Sequence, residues 1–207
     1  TTSETYGYDA LDRKVAVTNQ ANVITRFGFD ALGRLVAVTN AFGTSSAMIT
    51  RCEYDEIGNL LRQIDGLNRT NRFEYDALGR RTKETMPGNQ SQTFGYDAIG
   101  NLTRLTNFNA VVITNAYNSL NWLTNKSSVS GYQIRWAYSP TGLRTNMVDA
   151  SGTNTYTYDS RDRLLTNAAP QGTLTYSYDS FGNLATLKSL TASGVSISYN
   201  YDALNRL

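Results

Sequence analysis

The residues best placed to do chemistry are eight aspartates, Asp9, Asp30, Asp55, Asp76, Asp97, Asp159, Asp179 and Asp202, each following an aromatic at a near-regular interval. Paired carboxylates roughly 5 to 10 Å apart could hydrolyse glycosides, and clustered ones could hold calcium. These are spread one per repeat, without the dense loop of an EF-hand, so they define no singular acid/base pair or calcium cage. The sequence has no histidine, which removes Ser-His-Asp and Cys-His catalysis and the commonest transition-metal ligand. Cys52 is the single cysteine; it permits no internal disulfide and reads as a small core residue rather than a nucleophile. We therefore expect no catalytic, cofactor or metal residues. An Asp after an aromatic reads as a turn residue, because its side-chain oxygen can fold back onto a nearby backbone N–H.

The repeat that positions these aspartates is plain when the chain is aligned on the preceding aromatic. Anchors fall at Tyr8, Phe29, Tyr54, Tyr75, Tyr96, Tyr117, Tyr138, Tyr158, Tyr178 and Tyr201, in steps of 20 to 25 residues. The next position is Asp in eight copies and Asn118 or Ser139 in the others. Four residues after the anchor stand Asp12, Gly33, Gly58, Gly79, Gly100, Asn121, Gly142, Asp162, Gly182 and Asn205. All are types that tolerate the left-handed conformation closing a tight turn. Arg13, Arg34, Arg80, Arg163 and Arg206 come next, with Asn59, Asn101 and Asn183 in other copies. This column reads as turn-end hydrogen-bond donors or solvated charges.

Two residues before each anchor come Tyr6, Phe27, Cys52, Phe73, Phe94, Asn115, Trp136, Tyr156, Tyr176 and Tyr199. A spacing of two places both columns on one face of a strand. "GVSISYNYD" extends the alternation, with Val195, Ile197, Tyr199 and Tyr201 on one face. A leucine such as Leu35, Leu60 or Leu102 opens a second strand after the turn, with a less clean alternation. Variable turns follow at "NAFGTSS", "DGLN", "MPGNQ", "DASGT", "APQG" and "TASG" and absorb the changes in repeat length. One repeat is thus a two-stranded hairpin, too small to be stable alone. The expected fold is all-β: a single array over residues 1–207, a continuous antiparallel sheet of about 20 short strands curling through its own twist into a spiral shell, tube or open barrel. The aromatic columns read as buried packing, although tyrosine ladders also stack on sugars.

The formal charge of +2 implies no nucleic-acid or anionic-membrane partner. No apolar run approaches the roughly 18 residues of a membrane span, and "TTSETYGYDA" lacks the layout of a signal peptide.

The pattern aromatic-x-Tyr-Asp-x-x-Gly-Arg-Leu, in ten registered copies across the chain, resembles the YD repeat of the Rhs family, found also in the C components of insecticidal Tc toxin complexes and in teneurins. That resemblance implies a β-sheet strip spiralling into a hollow shell, which in bacterial toxins encloses a toxic domain carried by the same polypeptide. The Asp-Pro motifs linked to self-cleavage in toxin-bearing members do not occur in this sequence. The resulting expectation is a non-enzymatic scaffold, secreted or at the cell surface, which encapsulates a cargo or toxin polypeptide. Its partners would be further YD repeats of the same chain, identical copies joined through edge strands, and an enclosed cargo. An extracellular fibre, tube or adhesin is the alternative, and a carbohydrate-binding surface ranks behind both. Because "YDALNRL" breaks off after a turn, the array is expected to continue beyond Leu207.

Overall fold

The computed structural model describes residues 4–191 and 194–207. Part of the "TASG" turn, Ala192 and Ser193, and the opening residues Thr1, Thr2 and Ser3 lie outside the described residues. The remainder is all-β, a single antiparallel sheet of 19 strands that does not close. The first nine are β1 (Thr5–Tyr8), β2 (Lys14–Thr18), β3 (Ile24–Phe29), β4 (Leu35–Asn40), β5 (Met48–Tyr54), β6 (Leu60–Ile64), β7 (Thr70–Tyr75), β8 (Arg81–Thr85) and β9 (Ser91–Tyr96). They are followed by β10 (Leu102–Thr106), β11 (Val112–Tyr117), β12 (Leu123–Ser128), β13 (Gln133–Tyr138) and β14 (Arg144–Asp149). The last five are β15 (Gly152–Tyr158), β16 (Leu164–Ala169), β17 (Gly172–Tyr178), β18 (Leu184–Ser189) and β19 (Ser196–Ser198). The strands group into two compact units, Thr1–Gly95 with Leu105–Ala110, and Tyr96–Arg104 with Val111–Leu207.

Within each unit the ladders join sequence neighbours, as in β3 with β4 and β4 with β5, or β15 with β16 and β16 with β17. Eight of the anchors sit at a register shift, Tyr8 and Phe29 among them. Gly28 pairs with Ala37 but Phe29 with Leu35, leaving Val36 unmatched. The same slip occurs at Tyr54, Tyr75, Tyr117, Tyr138, Tyr158 and Tyr178. A β-bulge of this kind moves the following residues to the opposite face. This is why the alternation after the opening leucine is unclean in sequence.

The ladders fix two faces in both units. On one, Phe27 pairs with Val38, Cys52 with Gln63, Trp136 with Met147 and Tyr156 with Asn167. On the other, Glu53 pairs with Arg62, and Thr157 with Thr166. In the first unit this second face carries ion pairs: Arg62 reaches Glu53 at 2.5 Å and Lys83 reaches Glu74 at 3.2 Å. In the second unit it carries hydroxyl pairs, Thr157 with Thr166 at 2.6 Å and Ser177 with Thr186 at 2.7 Å.

The aromatic face is not a sealed core. Phe73, at 8% exposure, is the only buried apolar residue among those described, while Tyr6 and Tyr132 are about half exposed. Within each unit the strands lie side by side, and no helix among the described residues covers either face. At the C-terminal end the alternation of "GVSISYNYD" is realised in only three strand residues. Tyr199 and Tyr201 lie outside β19, which pairs with β18 through Ser196, Ile197 and Ser198.

Candidate functional site

The repeated turn is where the sequence is most constrained and the geometry most uniform. At Asp30 the backbone N–H donates to Arg34 O and the carbonyl accepts from Gly33 N–H, both at 3.0 Å. The carboxylate occupies the space this leaves. Its Oδ1 accepts from the N–H groups of Leu32 and Arg34, and Oδ2 accepts from Arg34 Nε at 2.6 Å. Residues four after the anchor all have positive φ, from 57° at Asp12 and Asn205 to 98° at Gly100. The result is a type I turn closed by a left-handed residue.

The other members of the Asp column are placed alike. Asp9, Asp76, Asp159 and Asp202 bind Arg13, Arg80, Arg163 and Arg206 through Nε at 2.7 Å. Asp55, Asp97 and Asp179 bind the Nδ2 groups of Asn59, Asn101 and Asn183 at 2.8–3.0 Å. Arg and Asn are exchangeable here because each presents one N–H to the same Oδ2. Where Asp is missing, so is that donor: Asn118 precedes Trp122 and Ser139 precedes Leu143. Asn118 Oδ1 and Ser139 Oγ still accept the backbone N–H of Trp122 and Leu143, at 3.0 and 3.1 Å.

These contacts set the electrostatics. N–H donation from Arg34 and Arg163 to Asp30 and Asp159, reinforced by the guanidinium groups, holds both carboxyls below the ordinary carboxylate range. They are ionised turn-closing groups whose oxygens accept bonds from their own turn, unlike the half-protonated pair that acid/base catalysis requires. Burial pushes the Cys52 thiol up, the wrong direction for a nucleophile.

The anchors do a second job that the residue pattern does not disclose. Tyr54 Oη donates to Leu35 O at 2.9 Å, and Tyr75 Oη donates to Leu60 O at 2.9 Å. Tyr117, Tyr138, Tyr158 and Tyr178 likewise reach Leu102, Leu123, Arg144 and Leu164 at 2.7–3.0 Å. Every acceptor is six residues past the preceding anchor, so each hydroxyl ties its repeat to the one before. The Arg column reaches the opposite way. Arg13 stacks over Phe29 at 4.9 Å, Arg34 over Tyr54 at 5.0 Å and Arg163 over Tyr178 at 4.4 Å. Arg34 Nη1 also donates to Asp55 O at 2.7 Å. Trp122 substitutes for this arginine, its ring 5.4 Å from that of Tyr138. Choosing tyrosine over phenylalanine at most anchors was the available signal for the hydroxyl ties.

The sequence also understates the opposite edge. Asp65, in the variable "DGLN" stretch, builds the same turn: it accepts from Leu67 and Arg69 N–H and from Arg69 Nε at 2.7 Å, with Asn68 at φ 60°. Beside it, Thr50, Gln63 and Asn71 line a hollow of about 330 Å³ with Met86 and Pro87. Its single carboxylate, Asp65, is tied to Arg69, so it offers no carboxylate pair. Asn71 Oδ1 is covered and lacks a hydrogen-bond partner, as are Asn115 Oδ1, Trp136 Nε1 and Asn167 Oδ1, all on the aromatic face. Among the described residues, no group of three or more Asp, Glu, Cys or His side chains is placed to hold a metal ion.

Comparison with known proteins bears on this repeat. A family model described as the teneurin YD-shell matches residues 1–149. No curated protein matches the chain. Among solved structures, a crystal structure of TcdB2-TccC3 is similar with a TM-score of 0.77 at 17% identity, over 97% of this chain and 13% of that one. TcdB2-TccC3 without its hypervariable C-terminal region gives 0.66 at 16% identity, over 97% and 16%. The Tc holotoxin pore of Photorhabdus luminescens gives 0.60 at 16% identity, over 94% and 15%. At such identity the likeness is one of fold, and this chain spans only about an eighth to a sixth of those chains' length.

Proposed function

The chain belongs to the teneurin YD-shell family, and from that premise we propose that it is a segment of a β-sheet wall that encloses a polypeptide cargo. The mechanism is geometric and needs no catalysis. Residues 1–207 act as one repeat array, the aspartate turns fix each hairpin, and the tyrosine and arginine ties hold neighbouring hairpins edge to edge. Further YD repeats continue the wall, which its twist curls into a spiral, and the whole works outside the cell or at its surface.

The observation carrying this reading is the state of the aromatic face. It presents aromatic rings that the sheet leaves partly open, Tyr6 and Tyr132 about half exposed. Apolar surface of this kind is ordinarily covered by another layer. An enclosed chain, offering apolar side chains, would supply that cover.

Electron microscopy of the complete polypeptide that contains this chain tests the proposal. Closed particles with internal density, together with protease resistance of the enclosed segment, are the expected result. A helical polymer without internal density would replace the wall with a fibre.

A further inference from the structure

The fourth residue of each turn answers to more than its own φ. Gly, Asn and Asp all hold the left-handed conformation there, so the turn itself does not choose among them. The choice follows the fifth residue of the turn before. Arg13, Arg34, Arg80, Trp122 and Arg163 are succeeded one repeat later by Gly33, Gly58, Gly100, Gly142 and Gly182. After the shorter Asn59, Asn101, Leu143 and Asn183 stand Gly79, Asn121, Asp162 and Asn205.

The geometry explains this pairing. A long fifth side chain runs toward the next anchor ring and lies beside the next turn. A Cβ built on Gly142 would stand 3.0 Å from Trp122 Cζ2, one on Gly182 3.6 Å from Arg163 Nη1, and one on Gly33 3.8 Å from Arg13 Nη1. A Cβ fits at the last two places, but an amide or carboxylate beyond it competes with the guanidinium for the same space. Gly58 is open to 4 Å, and there Arg34 Nη1 is drawn to Asp55 O. Behind a short fifth residue the neighbour's own amide fills the gap. Asn101 Nδ2 donates to Asn121 Oδ1 at 3.3 Å, and Asn183 Nδ2 donates to Asn205 Oδ1 at 3.1 Å.

We propose that the fifth side chain of a turn selects the repeat that packs beside it: arginine or tryptophan takes a repeat with glycine at the fourth turn position, whereas asparagine also takes one with asparagine there. One open surface thereby acquires a defined partner. The Arg206 side chain is 72% exposed, against 27–31% for Arg13, Arg34, Arg80 and Arg163. The repeat it fits offers an aromatic anchor to stack on and a turn closed by glycine. This selection rests on the wall of further repeats proposed above, while its test needs no enclosed cargo.

Urea unfolding of variant pairs provides that test. Gly182→Asn should lower the midpoint in the parent, where Arg163 faces it. In an Arg163→Asn background it should leave the midpoint unchanged or raise it, because the pair then repeats that of Asn101 and Asn121. Should the Gly182 variant fail to fold, the converse pair takes its place, and Asn121→Gly should cost less in an Asn101→Arg background than in the parent. For the open surface, the chain is extended behind Leu207 with residues 165–184, the segment that follows Arg163 and Leu164. The extended chain should have a higher midpoint with glycine than with asparagine at the added copy's fourth turn position, by a margin that Arg206→Asn removes. Additive effects within the cycle, or equal midpoints of the two extended chains, would overturn the proposal.

Discussion

The turn from Asp30 to Arg34 and the turn from Asn118 to Trp122 bend the backbone alike, each closing on a left-handed residue, Gly33 at φ 80° and Asn121 at φ 63°. They hold the next repeat by different chemistry. The first sends a guanidinium over Tyr54 and a hydrogen bond to Asp55 O, whereas the second lays an indole against the ring of Tyr138. Two demands are therefore separable within one short motif. Folding the turn needs a side-chain acceptor at its first position and a residue that tolerates positive φ at its fourth. In both turns coupling to the neighbour uses a flat side chain at the fifth that covers an aromatic ring. The loss of Asp and of its Arg or Asn partner in the same two repeats follows, since a guanidinium there would face no carboxylate.

The largest expected effect separates these demands directly. Gly142→Ala must place a Cβ at φ 89° and 3.0 Å from Trp122 Cζ2, while Gly58→Ala meets nothing within 4 Å at φ 97°. The left-handed conformation alone costs about 1–2 kcal/mol, and crowding adds about 1 kcal/mol or more. Urea unfolding should show the Gly142 variant destabilised by clearly more than the Gly58 variant; equal shifts would mean that Trp122 is loosely held.

Next in size is the coupling arginine. Arg34→Met removes the bonds to Asp30 and Asp55 and the stacking on Tyr54, an expected loss of about 1–2 kcal/mol. Arg34→Asn restores the bond to Oδ2, as Asn59 does at Asp55, and should recover about half of that loss. Equal stability of the two variants would show that the intra-turn bond contributes nothing.

The tyrosine ties should be smaller still. Tyr54→Phe forfeits the bond to Leu35 O and should lower stability by about 1 kcal/mol. Tyr176→Phe alters a hydroxyl with no hydrogen bond among the described residues and should stay within about 0.5 kcal/mol. A Tyr54 variant as stable as the parent would reduce the hydroxyl ladder to an accompaniment of ring packing.

The smallest effect is local and depends on pH. Because the folded state lowers the carboxyl pKa of Asp30 and Asp159, their contribution is complete above the unfolded value near 4 and is lost as pH falls through the lower folded value. The turns at Asn118 and Ser139 have no carboxyl to protonate. Hydrogen exchange below about pH 3 should therefore open the Gly33 and Asp162 amides while sparing those of Asn121 and Gly142, after correction for intrinsic rates.

Much of this molecule is legible from its residues, because Gly, Asn or Asp at one turn position and aromatics two apart each have one dominant physical reading. The count of about 20 strands against 19 differs because only Leu207 follows the last turn, at the place where the other nine copies form their second strand. The bulges at anchors such as Phe29 and Tyr54 were hidden, since a one-residue slip leaves composition untouched and appears only as blurred alternation after leucines such as Leu35. The hydroxyl ties were hidden because their carbonyl acceptors belong to the backbone and leave no trace in residue type. The aromatic columns could be assigned to one face but not to a depth of burial, which depends on what covers the sheet rather than on the strand's own pattern.

The hydroxyl ties and stacking contacts run between consecutive repeats within each unit, and this makes length a quantity the molecule can alter in whole units. Removing residues 54–74 would set Tyr75 where Tyr54 now stands, with Leu35 O as its acceptor and Arg34 beneath its ring. A sheet joined in this way can be lengthened or shortened by duplication or loss of single repeats, with no new contact to invent at the seam.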